Sequence, residues 1–497
     1  MATENGSCCC KHTHQSNASS KDAIEKAYYA AIEKLNKRQS SPETIEKIKA
    51  SGKLLNENSV AEFEAYLEKI GYKVEDLDRL NIVHVTGTKG KGSTCAFVSS
   101  IMQQVDNPHK LKVGLFTSPH LIEACERIRI DGKPISKQMF TKYFNDVYDR
   151  LTSATPPLRK VDPNTRDIPV YFRFINLMAV HVFLSEGVDV AIMEVGVGGQ
   201  YDSTNAVRKP VVCGIASLGI DHQAILGSTI ESIAWHKAGI IKDNVPAFTV
   251  PQDDAAIEVI RSRAAERNAP VAIAEPLPVS KYQLGIPGDH QRINAALAEA
   301  LCREWIRIKT PNVDAAKVDS WVADGIRLAS WPGRSQTFVS PRHHNLSWHV
   351  DGAHTVESMT ACAKWFAGER ATWSGQSVLL FNFTHERSYK DLLQTLKKHA
   401  GKGEFVEAIF CPNITNRADS QNLTVHNDEK QAQQHECANA WAEMSGNPTT
   451  KVLPSINAAV DYVESKYGSS NDAETHVLVT GSLHLVGGVL DAAKGSI

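Results

Sequence analysis

No apolar run in this chain approaches the roughly 20 residues that a membrane-spanning helix requires, so the sequence offers no helical span. A surplus of one charge is also missing. The 54 basic residues face 56 acidic ones, a net charge of −2, which leaves no electrostatic footprint for nucleic acid or a lipid surface. Cysteine is present without a pairing pattern: the ten cysteines include no Cys-x-x-Cys motif. Those in the chain body are scattered, and Cys95, Cys213 and Cys411 sit inside apolar runs. They read as buried, reduced thiols of a reducing compartment. Residues 1–20 lack arginine and lack an apolar core, so neither a secretory nor a mitochondrial address is legible there. A cytoplasmic location is expected, with a mitochondrial pool left open. Cys8, Cys9 and Cys10, with His12 and His14, have the chemistry to hold a soft metal or accept a lipid; a disordered polar tail over residues 1–20 is the favoured reading.

What the chain does have is length and a regular alternation. At 497 residues it exceeds one comfortable core and suggests two or three domains. Apolar runs at 82–85, 113–116, 188–195 and 211–216 alternate with helical stretches such as 171–186. That is the pattern of a doubly wound α/β sheet. Further strands are expected at 346–350, 378–381, 408–411 and 476–480, making a second, smaller α/β domain that begins near Trp331. The division is therefore a tail over 1–20, a nucleotide-binding domain over 21–330 and a C-terminal domain over 331–497. Residues 23–35 read as an amphipathic helix, and 413–447, rich in Gln and Asn, as a surface excursion.

The strongest local signal is Gly87-Thr88-Lys89-Gly90-Lys91-Gly92-Ser93-Thr94. It follows the β-branched run at 82–85 and precedes Ala96, Phe97, Val98, Ile101 and Met102, which gives strand, phosphate loop and helix. Glycines allow backbone N–H groups to turn onto a polyanion, and the helix N-terminus adds partial positive charge. Lys91 supplies a full charge for the outer phosphates, and Ser93 or Thr94 a hydroxyl. The spacing departs from the common Walker loop, because Gly87 stands only three residues before Gly90 and Gly92 separates Lys91 from the hydroxyl.

Ligands of such sheets bind beyond the carboxyl ends of the strands. Ser118, Glu194 and His222 all fall at such ends. A hydroxyl, a carboxylate and an imidazole, together with phosphate oxygens, make a workable Mg²⁺ set, although imidazole is an unusual Mg²⁺ ligand and chemistry alone slightly favours His222 as a hydrogen-bonding residue. Ser228-Thr229-Ile230-Glu231 has capping-box spacing, which predicts a helix that Gly239 ends. Ile230, Ile233, Ala234 and Lys237 then share its inner face. A desolvated lysine there is a nucleophile able to capture CO₂; one that snorkels to solvent is inert, and the sequence allows both.

The loop Gly-Thr-x-Gly-Lys-Gly-Ser resembles that of the Mur-ligase superfamily. Thr117-Ser118-Pro119-His120-Leu121, Glu126-Arg127-Ile128-Arg129-Ile130, Glu194-Val195-Gly196-Val197-Gly198-Gly199, Gly219-Ile220-Asp221-His222 and Asp351-Gly352-Ala353-His354 narrow the likeness to the eukaryotic form of the folylpolyglutamate synthases, in order from about residue 62 to 488. The resemblance implies an ATP-dependent ligase that adds L-glutamate to the γ-carboxylate of a folate through an acyl phosphate. Its substrates would be small molecules, with a monomer and no nucleic-acid partner.

By the same resemblance, Gly90, Lys91, Gly92, Ser93, Asn294, Arg334 and Asp351 bind ATP. Ser118, Glu194 and His222 hold Mg²⁺, with a monovalent cation nearby. Lys237, in Ala-x-x-Lys-Ala-Gly-Ile, carries a carbamate. Arg127, His354 and Ser482 hold the incoming glutamate, and Lys91, Lys237 and His354 serve the chemistry. Arg129, alternating with Arg127, is expected on a solvated strand face. Two other readings stand: dihydrofolate synthase, the same chemistry on a pteroate acceptor, and a nucleotide-binding switch without ligase turnover.

Overall fold

The computed structural model describes residues 12–39, 57–383, 388–400, 405–415, 431–446, 449–468 and 474–494. Cys8, Cys9 and Cys10 lie outside the described residues. Two β-sheets organise the chain. The first is built from β1 (Val83–Thr86), β2 (Val113–Phe116), β3 (Ile128–Ile130), β4 (Lys133–Pro134), β5 (Val190–Glu194), β6 (Val212–Ile215), β7 (Ala247–Thr249) and β8 (Val271–Ile273), in the order β4-β3-β2-β5-β1-β6-β7-β8. From β2 to β8 the strands are parallel, and only the β3–β4 edge is antiparallel. Both faces of β1, β2, β5 and β6 are buried, as their unbroken apolar runs require.

The register decides where chemistry can happen. Val85 pairs with Glu194, Thr86 with Ile215, and Phe116 with Met193. The ends of β1, β2 and β5 therefore lie side by side. The chain leaves β1, crosses β5 to reach β2, and later returns past β1 to β6, so the winding direction reverses at β1. A crevice forms at such a reversal.

Helices cover both faces. His12–Asn36, Lys137–Thr152 and Tyr171–Glu186 pack one side through Tyr28, Phe140, Phe144 and Phe174. Lys91–Met102, Gln291–Lys309 and Ala315–Leu328 pack the other through Phe97, Leu301 and Trp305. The helix expected over 23–35 is thus longer, beginning at His12. Among the described residues no helix is long and apolar enough to cross a membrane.

The second sheet contains β9 (Gln336–Val339), β10 (Leu346–Asp351), β11 (Gln376–Phe381), β12 (Glu407–Phe410), β13 (Thr449–Val452) and β14 (Thr475–Thr480), in the order β13-β12-β11-β14-β10-β9. All but the β9 edge run parallel. Val356–Arg370, Tyr389–His399 and Ala432–Ser445 cover one face, Ile456–Tyr467 and Leu483–Lys494 the other. The architecture is a doubly wound α/β sheet with a phosphate loop, followed by a smaller α/β sheet.

Two expectations need correction. The segment 413–447 is not all surface excursion, because Ala432–Ser445 is a helix whose Cys437, Ala438 and Trp441 enter the core at helical spacing. The helix carrying Lys237 starts one residue later than expected. Thr229 is its N-cap, accepting from Ser232 N–H at 3.2 Å, whereas Ser228 precedes the cap. Cys95, Cys125, Cys213, Cys302, Cys362, Cys411 and Cys437 are all buried and free.

Candidate active site

The loop after β1 folds tightly against the end of β6. Thr88 and Lys89 both donate backbone N–H to the Ser217 carbonyl, at 2.9 and 3.0 Å. Gly87, at φ +152°, sits where an added Cβ would come within 2.8 Å of the Ala216 Cβ, so only glycine permits this approach. Gly90 caps the helix Lys91–Met102 in the left-handed region, φ +82°. Its missing side chain leaves room for Asn294, whose Oδ1 lies 2.1 Å from the Cβ position. Asn294 itself donates to Gln291 Oε1 at 2.9 Å. This brings the loop and the helix Gln291–Lys309 together at the sequence-predicted positions.

Lys91 and Lys237 meet behind the loop. The Lys91 ammonium donates to the Gly87 carbonyl at 2.9 Å and to the Thr88 carbonyl at 3.4 Å. Lys237 is 3% exposed and donates to the same Gly87 carbonyl at 2.8 Å. Its helix buries Ile233, Ala234, Lys237 and Ala238, so the lysine does not snorkel to solvent. Desolvation, reinforced by the Lys91 charge, holds its pKa well below the ordinary lysine value.

Glu194 closes β5 at 3% exposure and accepts the Ser118 backbone N–H at 2.9 Å. Burial raises its pKa, against a lowering pull from Lys91. A buried carboxylate with spare acceptor capacity, beside a hydroxyl residue, suits a hard cation. His222 stands exposed at the start of the turn Gln223–Leu226. Desolvation lowers its pKa against the raising pull of the Asp221 carboxylate, and Lys91 and Lys237 lower it further. The ion pair of Lys89 with Asp221, at 3.0 Å, ties that turn to the phosphate loop. Among the described residues no three His, Cys, Asp or Glu side chains cluster as a complete metal cage. A cation here would therefore need further oxygens, which phosphates and water can supply.

The second half of the chain reaches the same place. Gly92, Ser118, Glu194 and Arg334 line one cleft, with Arg129 and Trp331. Arg334 donates to the Gly333 carbonyl at 3.2 Å. Asp351, at the end of β10, accepts Ser335 N–H at 2.7 Å and Ser335 O–H at 3.3 Å. His354 Nδ1 lies 2.7 Å from the Gly352 carbonyl, to which it donates. Ser482 is buried, accepting from Asn413 Nδ2 at 3.1 Å and His484 N–H at 3.2 Å. Arg127 donates to His120 Nδ1 at 2.8 Å and lies 5.3 Å over the Tyr171 ring. Gly90, Lys91, Ser93, Arg127, His222, Lys237, Asn294, Asp351, His354 and Ser482 are not lining residues of this cleft, so of the expected metal set it brings together only Ser118 and Glu194.

Arg129 departs from its expected place. It is half-buried, faces the cleft, and stacks 4.9 Å over the Trp331 ring. The alternation of the two arginines gave no sign of this, because Trp331 arrives from 200 residues further along the chain. A larger cavity of about 390 Å³ lies against Tyr282, Leu284, Pro287, Asp289 and Arg292. It contains none of the phosphate-loop residues, whereas Gly92 lines the smaller cleft.

Residues 335–492 match the family model described as dihydrofolate synthetase, C-terminal domain. The whole chain is 40% identical over 484 residues to a probable folylpolyglutamate synthase of Schizosaccharomyces pombe, covering 93% of this chain and 94% of the relative. It is 38% identical over 552 residues to the human protein named folylpolyglutamate synthase, mitochondrial, covering 93% and 91%. A Mycobacterium tuberculosis folylpolyglutamate synthase, solved as a complex with ADP, shares the fold at a TM-score of 0.70 and 23% identity, covering 93% of this chain and 97% of that one. The 40% and 38% identity to the Schizosaccharomyces pombe and human relatives, through nearly the full length of both sequences, means that the chain belongs to the folylpolyglutamate synthase family.

Proposed function

We propose that the chain is an ATP-dependent ligase that joins L-glutamate to the γ-carboxylate of a folate and so builds a poly-γ-glutamate tail. The observation that carries this reading is the single cleft in which Gly92, at a helix N-terminus, meets Ser118, Glu194 and Arg334. Phosphates lie on Gly90, Lys91, Gly92 and Ser93, with Asn294 and Asp351 holding the rest of the nucleotide. The folate γ-carboxylate attacks the γ-phosphorus and ADP leaves. The amine of glutamate, held by Arg127, His354 and Ser482, attacks the acyl carbon and phosphate departs. The protein contributes position and charge, as phosphoryl transfer requires, and no protein nucleophile enters.

Ser118, Glu194 and His222 would hold Mg²⁺, which supplies positive charge beside the transferring phosphoryl group. The buried, acceptor-rich Glu194 supports that assignment. Lys237 has its pKa lowered toward the neutral amine, the form that captures CO₂, and a carbamate there would set a negative group behind the loop. We place the activity in the cytoplasm in a monomer, with a mitochondrial pool in keeping with the name of the human relative.

Folate labelled with ¹⁸O in its γ-carboxylate tests the acyl phosphate. One labelled oxygen should leave in the inorganic phosphate while the other stays in the amide, and label released to water or to the nucleotide instead would contradict it. Dihydrofolate synthesis is the second reading, favoured by the description of the model matching 335–492. Competition between tetrahydrofolate and dihydropteroate as acceptors separates the two.

A further inference from the structure

Arg129 brings an uncommitted charge to the cleft. Its Nε donates to the Glu126 carbonyl at 3.2 Å and its Nη1 to the Gly132 carbonyl at 3.3 Å. Among the described residues its hydrogen-bond acceptors are both backbone carbonyls, and the acid whose charge acts on it is Glu126. The nearest acid in sequence, Glu126, is occupied by the backbone N–H groups of Leu121, Ile122 and Glu123, at 2.9, 2.9 and 2.7 Å. The stack on Trp331 fixes the guanidinium, and the Trp331 indole nitrogen lies 3.3 Å from the Cβ position of Gly92. The cation is thereby held beside the helix N-terminus on which the phosphates are placed. Desolvation lowers its pKa, and the Glu126 charge offsets this only in part.

We propose that Arg129 binds the α-carboxylate of the acceptor's terminal glutamyl residue while the γ-carboxylate of the same residue is activated. This rests on the ligase reading above. The phosphates already have Lys91, the loop N–H groups and Arg334, and the incoming amino acid has Arg127, His354 and Ser482. The acceptor's terminal residue brings two carboxylates into a cleft that also contains Glu194. The γ-carboxylate is consumed by the reaction; the α-carboxylate, a few bonds away, stays charged and would be repelled by Glu194 unless a cation met it. A planar guanidinium suits a carboxylate in geometry as well as charge. Dihydropteroate has only the reacting carboxylate, so a residue with this role favours acceptors that are already glutamylated.

The test compares tetrahydrofolate with its analogue in which 4-aminobutyrate replaces the terminal glutamate, keeping the γ-carboxylate and deleting the α. Wild type should prefer tetrahydrofolate by about 10- to 100-fold in kcat/KM, the range for one charge-assisted hydrogen-bonded pair. Arg129→Gln should erase the preference with the KM values of ATP and glutamate unchanged, and Arg129→Lys should fall between. Equal kcat/KM for the two acceptors in wild type overturns the assignment without any variant. Undiminished preference in Arg129→Gln, or a loss confined to the glutamate KM, overturns it as well. A wild-type enzyme that glutamylates neither acceptor would overturn the ligase reading itself, and this assignment with it.

Discussion

Lys91 and Lys237 converge on one acceptor: both ammonium groups donate to the Gly87 carbonyl, at 2.9 and 2.8 Å. Two amines so close cannot both be comfortable as cations in a buried site, and the one with less access to water is Lys237. Its lowered pKa follows from burial first and from Lys91 second. Lys91 therefore stands at the loop, where the ligase reading places the phosphates, and Lys237 lies buried behind it with its pKa lowered.

This arrangement makes different predictions for the two lysines. Lys91→Ala should lose on the order of 10²-fold or more in turnover and weaken ATP, because the phosphates lose a loop cation. Lys237→Ala should be nearly inactive yet partly rescued by formate or acetate, small anions that fit the vacated space. Mass analysis of the intact protein under CO₂ should also find the carbamate. A fully active Lys237→Ala, with no response to carboxylate, would contradict the role assigned to Lys237.

Glu194→Gln keeps the shape of the side chain and its contact with Ser118 while removing a hard anionic ligand. The Mg²⁺ concentration needed for half-maximal rate should rise sharply. Titration with Mg²⁺ is the check, and an unchanged curve would make Glu194 a purely structural residue.

His354 hydrogen-bonds to the turn at Gly352, close to Arg334 yet outside the cleft that holds Glu194. His354→Ala should raise the KM for glutamate while ATP affinity, read by calorimetry, stays near wild type. Collapse of ATP binding with an unmoved glutamate KM would reverse that assignment.

Acid should destabilise the fold through buried histidines. Burial, with a smaller push from Lys242, lowers the His84 pKa to about 3. Burial, with His476 hydrogen-bonded at 3.1 Å, lowers that of His349 to about 3. Both folded-state values lie below the unfolded value of roughly 6.5, so the unfolded chain takes up protons that the native state refuses. Stability is held above about pH 6.5 and falls as pH drops toward 3, by up to about 1.4 kcal/mol per pH unit for each group. Urea unfolding at pH 7, 6 and 5 should show the slope, and His349→Phe should flatten it. An identical slope in the variant would show that His349 is not responsible.

The sequence revealed what periodicity and glycine spacing encode. The buried strands β1, β2, β5 and β6, and the helix Tyr171–Glu186, are continuous apolar patterns whose burial is their reason for forming. The phosphate loop was legible because its glycines meet local backbone demands at Gly87 and Gly90. The short strands β7 and β8 were not, since three residues each are too few to show a period. The cleft was legible only in part. Ser118 and Glu194 could be placed at strand ends, whereas the stack of Arg129 on Trp331 joins distant segments through packing that no local pattern records. The helix Ala432–Ser445 was hidden by its many polar residues, although Cys437, Ala438 and Trp441 carry its buried stripe.

The most direct measurement of the central claim is the mass of the folate after incubation with ATP, Mg²⁺, labelled L-glutamate and tetrahydrofolate. The account predicts products longer by successive γ-linked glutamyl residues, with one ADP formed for each addition and none without glutamate. Nucleotide binding or hydrolysis that ignores glutamate, with the folate unchanged in mass, would contradict it and leave a nucleotide-dependent switch.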